Sequence, residues 1–399
     1  MNHRVVVAVI AAVLTATFPA QAADLTAPPA PPPIVGGLTT PQGWPGAPDV
    51  SADAYLLTNL DTGQVLAAKA ADQRRPVAST VKVMTAWTAL RRTSLGAAIR
   101  AGGEVAPTRS DGARVGLDPG DTWTVEDLLE AVVARSGNDA ARALAVGVAG
   151  TTAGFVELMR QDAAALGLHG VVLHTPDGLD DRNRLSAHDL TVITRAALSD
   201  ATFAAIAARP SVDLPDVGTV TSRNELLGTY PGAIGVKTGY TAAAGRCLVA
   251  AAVRDGRRLL AVVLGSDGPQ GHFHDARALL DHGFAAFADV QVTPRIELRA
   301  PGQWVTLASD PVVVLAPASH AVVAQTVQPP VEVATAPRAT ARLTWRDAEV
   351  GRVELHGRRS LTRDVHGGAA VGAWLADRAY AAMRAVTAEG RWPPGTSPM

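Results

Sequence analysis

The sequence predicts an α+β fold, because strand-like segments frame a block of helical segments. Apolar runs flank an Asp-Thr-Gly turn at 61–63 and an Asp-Gly turn at 255–256, and both patterns are typical of β-hairpins. Between them, apolar residues recur at helical spacing, as Val83, Trp87 and Leu90 do. We therefore expect an antiparallel sheet that is packed by helices.

Capping and turn residues divide the helical block. Thr124 and Asp127 form a variant of the capping box where a helix begins, and Ser186 caps a later helix. The Ser-Gly-Asn run at 136–138 interrupts the block with a turn. Helices are expected over 79–90, 125–134, 139–148, 155–166, 188–198 and 277–287.

The N-terminal 50 residues predict an export signal followed by a linker. A basic residue precedes an apolar run at 5–18, and Ala20 and Ala22 form a small-x-small cleavage pattern, so 1–22 is typical of a signal peptide. The alternative is an uncleaved membrane anchor, although the run is short for a bilayer span. Residues 23–50 are rich in proline and glycine, which indicates an extended linker. We expect the protein in the periplasm or extracytoplasmic cell wall, with membrane association left open.

The rest of the chain is expected to form two domains and a tail. Residues 51–291 contain the α+β pattern, and 292–366 contain short β-forming runs separated by proline and glycine, which predict a small all-β domain. Residues 367–399 predict an amphipathic helix with an apolar stripe at 371–386, then a disordered end. This helix either packs against the β-domain or makes a weak contact with a membrane surface.

The composition is that of a globular protein without a basic face. Hydrophobic residues make up 47% and charged residues 18%, and the net charge is −1, so nothing favours a nucleic-acid partner. Cys247 is the single cysteine, which excludes an intramolecular disulfide. Because it lies in an apolar run, we expect a buried and unreactive thiol.

Two polar motifs lie at predicted helix boundaries. Ser79 and Lys82 are three residues apart at a helix start, so they share one face, and the amine can serve as a base for the hydroxyl. Ser136 and Asn138 lie in the turn between helices, where both side chains can point into a cleft. Either motif alone also fits an ordinary helix cap or turn.

A third motif lies at the start of a predicted strand. Lys237 offers a positive charge for an anion, Thr238 offers a hydroxyl, and Gly239 permits close approach of a backbone. In this order the three motifs match the S-x-x-K, S-D-N and K-T-G set of penicillin-binding proteins and class A β-lactamases. Together they predict acyl transfer by a serine nucleophile.

Longer runs resemble the low-molecular-mass D-alanyl-D-alanine carboxypeptidases, the S11 serine peptidases. These runs are 79–85, 136–140, 175–180, 185–190, 230–241 and 245–265. The resemblance spans about 52–290 and is weaker beyond. It implies a β-lactamase/transpeptidase-like domain, then a small β-domain and a terminal helix. It also implies removal of the terminal D-Ala from peptidoglycan stem peptides, with β-lactams as covalent inhibitors.

The resemblance further implies a catalytic role for three residues. Ser79 would attack the carbonyl between the two terminal D-alanines, and Lys82 would take the Ser79 proton. Ser136 would relay a proton toward the leaving D-Ala amine. Asn138 would bind both Lys82 and the substrate amide.

The same resemblance implies how the substrate is held. Lys237 and Thr238, next to Gly239, would bind the terminal carboxylate, and the backbone N–H of Tyr240 would share the oxyanion hole with that of the nucleophile.

One position departs from the family pattern. Where the family often has an arginine that aids carboxylate recognition, this chain has His272. Because a histidine is charged only below roughly pH 6.5, we expect weaker or more pH-sensitive carboxylate binding, unless Arg277 substitutes. We expect neither a metal nor a cofactor, since His272 and His274 are too few to form a structural zinc site.

Three other functions stay open at this point. A class A β-lactamase needs a glutamate in the loop at 174–184, which contains Asp177, Asp180 and Asp181 but no Glu. A scaffold that keeps the fold without activity is disfavoured by the intact motifs. Endopeptidase action on D-Ala cross-links is not separated from carboxypeptidase action, and the sequence does not predict an oligomeric state.

Overall fold

The computed structural model describes residues 43–106, 112–292, 295–300, 303–308, 312–317, 324–328, 338–345, 348–357 and 386–387. The helices are α1 Lys82–Leu90, α2 Val125–Glu130, α3 Asn138–Ala149, α4 Thr152–Ala165, α5 Ala187–Leu198, α6 Ala201–Ala207 and α7 Gly271–Ala286. The strands up to α7 are β1 Ala54–Asn59, β2 Val65–Lys69, β3 Arg75–Pro76, β4 Ala98–Arg100, β5 Thr122–Thr124, β6 Arg184–Leu185, β7 Ser211–Leu214, β8 Gly218–Thr221, β9 Ala233–Thr241, β10 Gly245–Arg254 and β11 Arg257–Ser266. The later strands are β12 Phe287–Val292, β13 Arg295–Ala300, β14 Gln303–Ala308, β15 Val312–Pro317, β16 Ala324–Gln328, β17 Arg338–Trp345, β18 Ala348–Gly357 and β19 Val386–Thr387.

A five-stranded antiparallel sheet forms the centre, in the order β2-β1-β11-β10-β9. It joins the first hairpin of the chain to the last strands before α7, because β1 pairs with β11 from Ala54 opposite Leu264 to Asn59 opposite Leu259. Both predicted hairpins are present, β1–β2 and β10–β11. The strand β9 lies at one edge of this sheet, and it contains the Lys-Thr-Gly motif.

Helices cover both faces of the sheet, and the alternation of side chains along each strand assigns them. On one face, Leu56 and Val249 join a core with Met84 of α1 and the other helices of the block between β2 and β9. On the opposite face, the adjacent residues Leu57 and Leu248 join a second core with α7. This layering places the start of α1 beside the edge strand β9.

The predicted helix starts are confirmed where a capping residue marks them. Thr124 and Asp127 form the capping box of α2, and Ser186 with Asp189 forms that of α5. The sequence did not predict α6, which Asp200 caps, or the small β7–β8 hairpin. Both are short elements, whose pattern covers too few residues to separate them from a loop.

The expected boundary of α7 was wrong. We expected this helix over 277–287, whereas it begins at Gly271 and places His272 and Phe273 on its buried side. The reason is packing against the sheet: Phe273 joins the same core as Leu279 and Leu280, so the apolar stripe begins one and a half turns earlier than expected.

Beyond α7 the described segments are strands, as the sequence predicts. The strand β12 pairs with β15, and a second sheet has the order β13-β14-β18-β17-β16-β19. Gln64 links the first hairpin to β15: its side-chain oxygen accepts from the Leu315 amide at 2.8 Å, and its amide group donates to the Leu315 carbonyl at 2.5 Å. The expected terminal helix at 371–386 lies outside the described residues, except for Val386, which lies in β19.

Cys247 lies fully buried in β10, and burial raises the pKa of its thiol to about 11. The described part of the chain contains no single helix long and apolar enough to cross a membrane. The helices α5 and α6 reach the length and apolar composition of a membrane span only when they are taken together as one bent pair. The signal peptide predicted for 1–22 and most of the linker at 23–50 lie outside the described residues.

Candidate active site

Ser79 lies in a 3₁₀ turn, Ala78–Val81, that leads directly into α1. This turn packs against the loop at 174–184. The Cα of Gly178 approaches the turn so closely that a side-chain Cβ there would overlap the Ala78 carbonyl oxygen and lie 3.0 Å from the Ser79 Cα. The backbone of Gly178 has φ +80°, which glycine adopts without strain. The loop therefore lies directly against the residue expected to be the nucleophile.

Lys82, on the first turn of α1, is the most buried charged side chain near Ser79. Its Nζ lies 3.0 Å from Ser79 Oγ and 2.5 Å from Asn138 Oδ1, and it also donates to the Asp177 backbone carbonyl. Its exposed fraction is 0%. The first two sequence motifs thus meet at one amine.

Burial lowers the pKa of Lys82 to about 7. Asp177 opposes this shift and Arg142 adds to it, while Asp139 opposes it further. A lysine with a pKa near neutrality is partly unprotonated at physiological pH, so it can accept a proton.

The partners of Lys82 also define where its lone pair points. Asn138 Oδ1 and the Asp177 carbonyl oxygen can only accept hydrogen bonds. A neutral amine has two N–H groups, and these two acceptors use both. The remaining direction faces Ser79 Oγ at 3.0 Å, so a neutral Lys82 can accept the Ser79 proton once the hydroxyl turns away from the Asp177 carbonyl oxygen, 3.5 Å from Oγ.

An irregular turn positions the Ser136–Asn138 motif. After α2 the chain forms a π-helical turn, Ala131–Arg135, and Ser136 ends it in the left-handed region at φ 63°. The Gly137 amide donates to Ala131, and the Asn138 amide donates to the Ala113 carbonyl at 2.7 Å. These bonds begin α3 at Asn138, which directs its side chain to Lys82.

Asp139 fixes the segment that supports this turn. Its buried carboxylate accepts from the backbone amides of Val115, Gly116 and Leu117 at 2.9–3.1 Å. Arg114 lies 3.6 Å from the same carboxylate. The sequence reasoning missed this role because residues 20 or more positions apart provide the partners.

The edge strand β9 brings the Lys-Thr-Gly motif to the same place. A Cβ on Gly239 would lie 3.0 Å from the Thr80 nitrogen and 3.1 Å from the Ser79 nitrogen, so glycine is what lets the strand approach the turn. Lys237 is 1% exposed and its Nζ donates to the Thr238 carbonyl at 2.9 Å. Burial, then the charge of Lys82 and of Arg223, lower the pKa of Lys237 well below its usual range.

Two arginines near the lysines, Arg142 and Arg223, were missed by the sequence reasoning. Asp177 is paired with Arg142 at 3.3 Å, and both influence Lys82. Arg223 donates through Nε to the Arg135 carbonyl at 2.9 Å, and burial lowers its pKa. No motif marks these residues, because their roles depend on tertiary contacts.

A family model described as D-alanyl-D-alanine carboxypeptidase matches residues 42–268. The chain belongs to the D-alanyl-D-alanine carboxypeptidase family, peptidase family S11. It is 41% identical over 254 residues to D-alanyl-D-alanine carboxypeptidase DacB2 of Mycobacterium tuberculosis, covering 61% of this chain and 86% of the relative. It is 34% identical over 263 residues to DacD of Escherichia coli, covering 63% and 68%.

Solved structures agree with this membership. Penicillin binding protein 6B from Escherichia coli matches with a TM-score of 0.65 and 30% identity, covering 79% of this chain and 98% of that one. D-alanyl-D-alanine carboxypeptidase from Mycobacterium tuberculosis H37Rv matches with a TM-score of 0.58 and 38% identity, covering 62% and 96%. The fold class predicted from the sequence, an antiparallel sheet packed by helices as in the transpeptidases, is confirmed.

The carboxypeptidase-family chain has no free carboxylate in the loop at 174–184 to act as a lactamase base. Asp177 pairs with Arg142, and Asp180 pairs with Arg182 at 2.6 Å. Asp181 accepts from the Thr241 hydroxyl at 2.6 Å. Each aspartate is therefore held by its own partner, and the β-lactamase alternative is not favoured.

His272 does not fit the charge role that we expected. It is 4% exposed in the first turn of α7, and burial, then the charge of Arg246, lower its pKa to about 4. Its Nδ1 has no hydrogen-bond partner among the described residues. The imidazole is neutral from about pH 5.5 to 8, so it cannot make carboxylate binding pH-sensitive in that range.

Arg277, the expected substitute, is engaged elsewhere. It donates to the carbonyl of Thr229 at 3.2 Å and to its hydroxyl at 2.7 Å. Within the described residues, no group of three or more His, Cys, Asp or Glu side chains is arranged to hold a metal ion.

Gly178 provides a test of how closely the loop positions Ser79. We expect Gly178→Ala to slow acylation of the protein by a fluorescent penicillin by roughly tenfold or more, because the new Cβ displaces the nucleophile turn. Gly218→Ala is the matched control: its φ is also +80°, but a Cβ there meets nothing within 4 Å.

Both variants carry the cost of a left-handed alanine, roughly 1–2 kcal/mol. Gly178→Ala adds the overlap with the Ala78 carbonyl oxygen, so it should unfold at a lower temperature than Gly218→Ala. Equal acylation rates in the two variants would contradict the positioning role of the loop.

Proposed function

We propose that this chain is a serine-type D,D-carboxypeptidase that removes the terminal D-Ala from peptidoglycan stem peptides through an acyl-enzyme on Ser79. The observation that carries the proposal is the environment of Lys82. Its Nζ lies 3.0 Å from Ser79 Oγ, with both other neighbours limited to accepting hydrogen bonds. Family membership supplies the substrate class.

In the first step, the Ser79 oxygen attacks the carbonyl carbon between the two D-alanines while its proton passes to Lys82. Charge develops on the carbonyl oxygen, and the backbone N–H groups of Ser79 and Tyr240 would stabilise it. The close approach of Gly239 to the Ser79 nitrogen supports this assignment, because it brings the backbone of β9 next to the backbone N–H of the 3₁₀ turn. Such preorganised donors lower a barrier by about 3 kcal/mol each.

In the second half of that step, the C–N bond breaks and the leaving amine of D-Ala takes a proton. Ser136 is the proposed relay, since its turn also provides Asn138, which binds Lys82. Lys237, Thr238 and Gly239 would form the edge where the terminal carboxylate binds. Water then hydrolyses the ester on Ser79, which releases the shortened peptide.

A β-lactam would enter the same path, because its strained amide replaces the D-Ala-D-Ala bond. The leaving nitrogen stays attached to the acyl group, and no loop carboxylate is free to activate water. We therefore infer a long-lived adduct rather than turnover. Endopeptidase action on D-Ala cross-links would use the same chemistry with a different leaving amine.

We also infer that the chain is exported and divides into a peptidase domain at 51–291, a β-domain at 292–366 and a tail at 367–399. The apolar run at 5–18 with its small-x-small pattern supports export, and the extent of the family match supports the first domain. The substrate of the proposed reaction lies outside the cytoplasm, which is consistent with export of the chain.

The function is tested with a diacylated tripeptide that ends in D-Ala-D-Ala. We expect release of one D-Ala per peptide from the wild-type protein and none above background from Ser79→Ala, because the nucleophile is removed. Ser211→Ala, an exposed strand residue, is the control and should keep wild-type activity. A wild-type protein that releases no D-Ala, or a Ser79→Ala variant that does, would overturn the proposal.

The pKa of Lys82 predicts the pH dependence of acylation. Protonation of Lys82 below about pH 7 removes the base, so the penicillin acylation rate of the free enzyme should fall by about tenfold per pH unit below pH 6. Above about pH 8 the amine is neutral and the rate should level off. Stopped-flow acylation between pH 5 and 9, with thermal unfolding at each pH, measures this. A rate that is flat from pH 5 to 8 contradicts Lys82 as the base.

A further inference from the structure

Arg246 lies on the same face of the sheet as Thr238, one of the residues proposed to bind the substrate carboxylate. In the β9–β10 pair, Arg246 is opposite Tyr240, and Leu248 is opposite Thr238. Opposed residues, and residues two apart, point to one face of a sheet. Arg246 is therefore the diagonal neighbour of Thr238, at a Cβ separation of roughly 7–8 Å or less, which a guanidinium can span.

The guanidinium of Arg246 is positioned by an aromatic ring and, among the described residues, is not paired with a carboxylate. It stacks on the ring of Tyr240, with 4.4 Å between its Cζ and the ring centroid. Tyr240 is itself 58% exposed, so this pair borders the open side of the site. Among the described residues Arg246 has no carboxylate within ion-pair distance and no hydrogen-bond acceptor.

Arg254 lies on the same strand and provides a comparison for the pairing of Arg246. It also points to the α7 face and also stacks on a tyrosine, at 4.5 Å from the Tyr230 centroid. However, it pairs with Asp281 at 3.0 Å and donates to the Pro231 carbonyl at 3.3 Å. Two arginines on the same strand and face thus differ in pairing: Arg254 is paired and also lies over Phe284, whereas among the described residues no acceptor uses the five N–H donors of Arg246.

Lys237 and His272 are poorly suited to hold a carboxylate alone, and Arg223, the other cation near the lysines, already donates through Nε to the Arg135 carbonyl at 2.9 Å. Burial and the neighbouring charges lower the pKa of Lys237 well below its usual range, and the pKa of His272 falls to about 4. A guanidinium keeps its proton at any working pH and offers two parallel N–H groups that match a carboxylate. Arg246 can supply such a fixed charge beside Thr238.

We propose that Arg246, from β10, is the specificity-determining cation that binds the C-terminal carboxylate of the substrate together with the Thr238 hydroxyl, in place of a cation at position 272. The inference rests on the proposed carboxypeptidase function. Tyr240 would fix the plane of the guanidinium, so that a lysine at 246 would restore the charge but not the paired geometry.

The test compares Arg246→Gln with Arg246→Lys and with the matched control Arg254→Gln. Each is assayed for kcat/KM on a diacylated tripeptide ending in D-Ala-D-Ala and on the same peptide ending in a C-terminal carboxamide. We expect Arg246→Gln to lose at least about tenfold on the free acid and to be unchanged on the carboxamide, because the lost contact is to the charge. Arg246→Lys should be intermediate, and Arg254→Gln should behave as wild type on both.

Acylation by benzylpenicillin and by its methyl ester provides a readout that does not need peptide turnover. The same loss should appear with the free acid only. Thermal unfolding identifies a variant that loses activity because it misfolds. If Arg246→Gln misfolds, the free acid and its uncharged analogue are compared in Arg246→Lys instead, because a lysine keeps the packing and the charge.

The outcomes separate the two proposals. No D-Ala release by the wild type, with normal penicillin acylation, overturns the carboxypeptidase proposal while the benzylpenicillin comparison still decides on Arg246. Equal losses on acid and carboxamide would show that Arg246 only supports Tyr240, and no loss on the free acid would show that another group binds the carboxylate. Either result overturns the inference.

Discussion

The burial of the Lys82 amine is the constraint on which the rest of the site depends. An ammonium removed from water is unstable unless it is paired, and a neutral amine is the alternative. Here the amine has two carbonyl-type acceptors and one hydroxyl as neighbours, and among the residues that the structure describes no carboxylate contacts it directly. That arrangement satisfies a neutral amine completely and directs its lone pair at Ser79.

Three separate parts of the chain must be in place for this environment to exist. The 3₁₀ turn before α1 provides Ser79, the turn after the π-helical segment provides Asn138, and the loop at 174–184 provides the Asp177 carbonyl. Each is fixed by backbone contacts of its own: Gly178 against Ala78, Asn138 to Ala113, and Asp139 to the segment at 115–117. The edge strand β9 then closes the site because Gly239 has no side chain to hold it away.

Much of this could be predicted from the sequence because the relevant signals are local. The Thr124 capping box and the two hairpin turns each depend on residues within a few positions, and these predictions are confirmed. Features that depend on distant partners were missed, such as the Arg142–Asp177 pair and the stacking of Arg246 on Tyr240. The burial of His272 was missed for the same reason, since it follows from where α7 begins.

The central claim is best tested by a direct titration of Lys82. The chain has three lysines, so ¹⁵N- or ¹³C-labelled lysine gives three side-chain NMR signals. Lys82→Arg identifies the signal of interest, and Lys69, at the exposed end of β2, serves as the internal reference. The account predicts a Lys82 titration near pH 7 in the free enzyme. A Lys82 that stays protonated up to about pH 10, as in a solvated lysine, would contradict it.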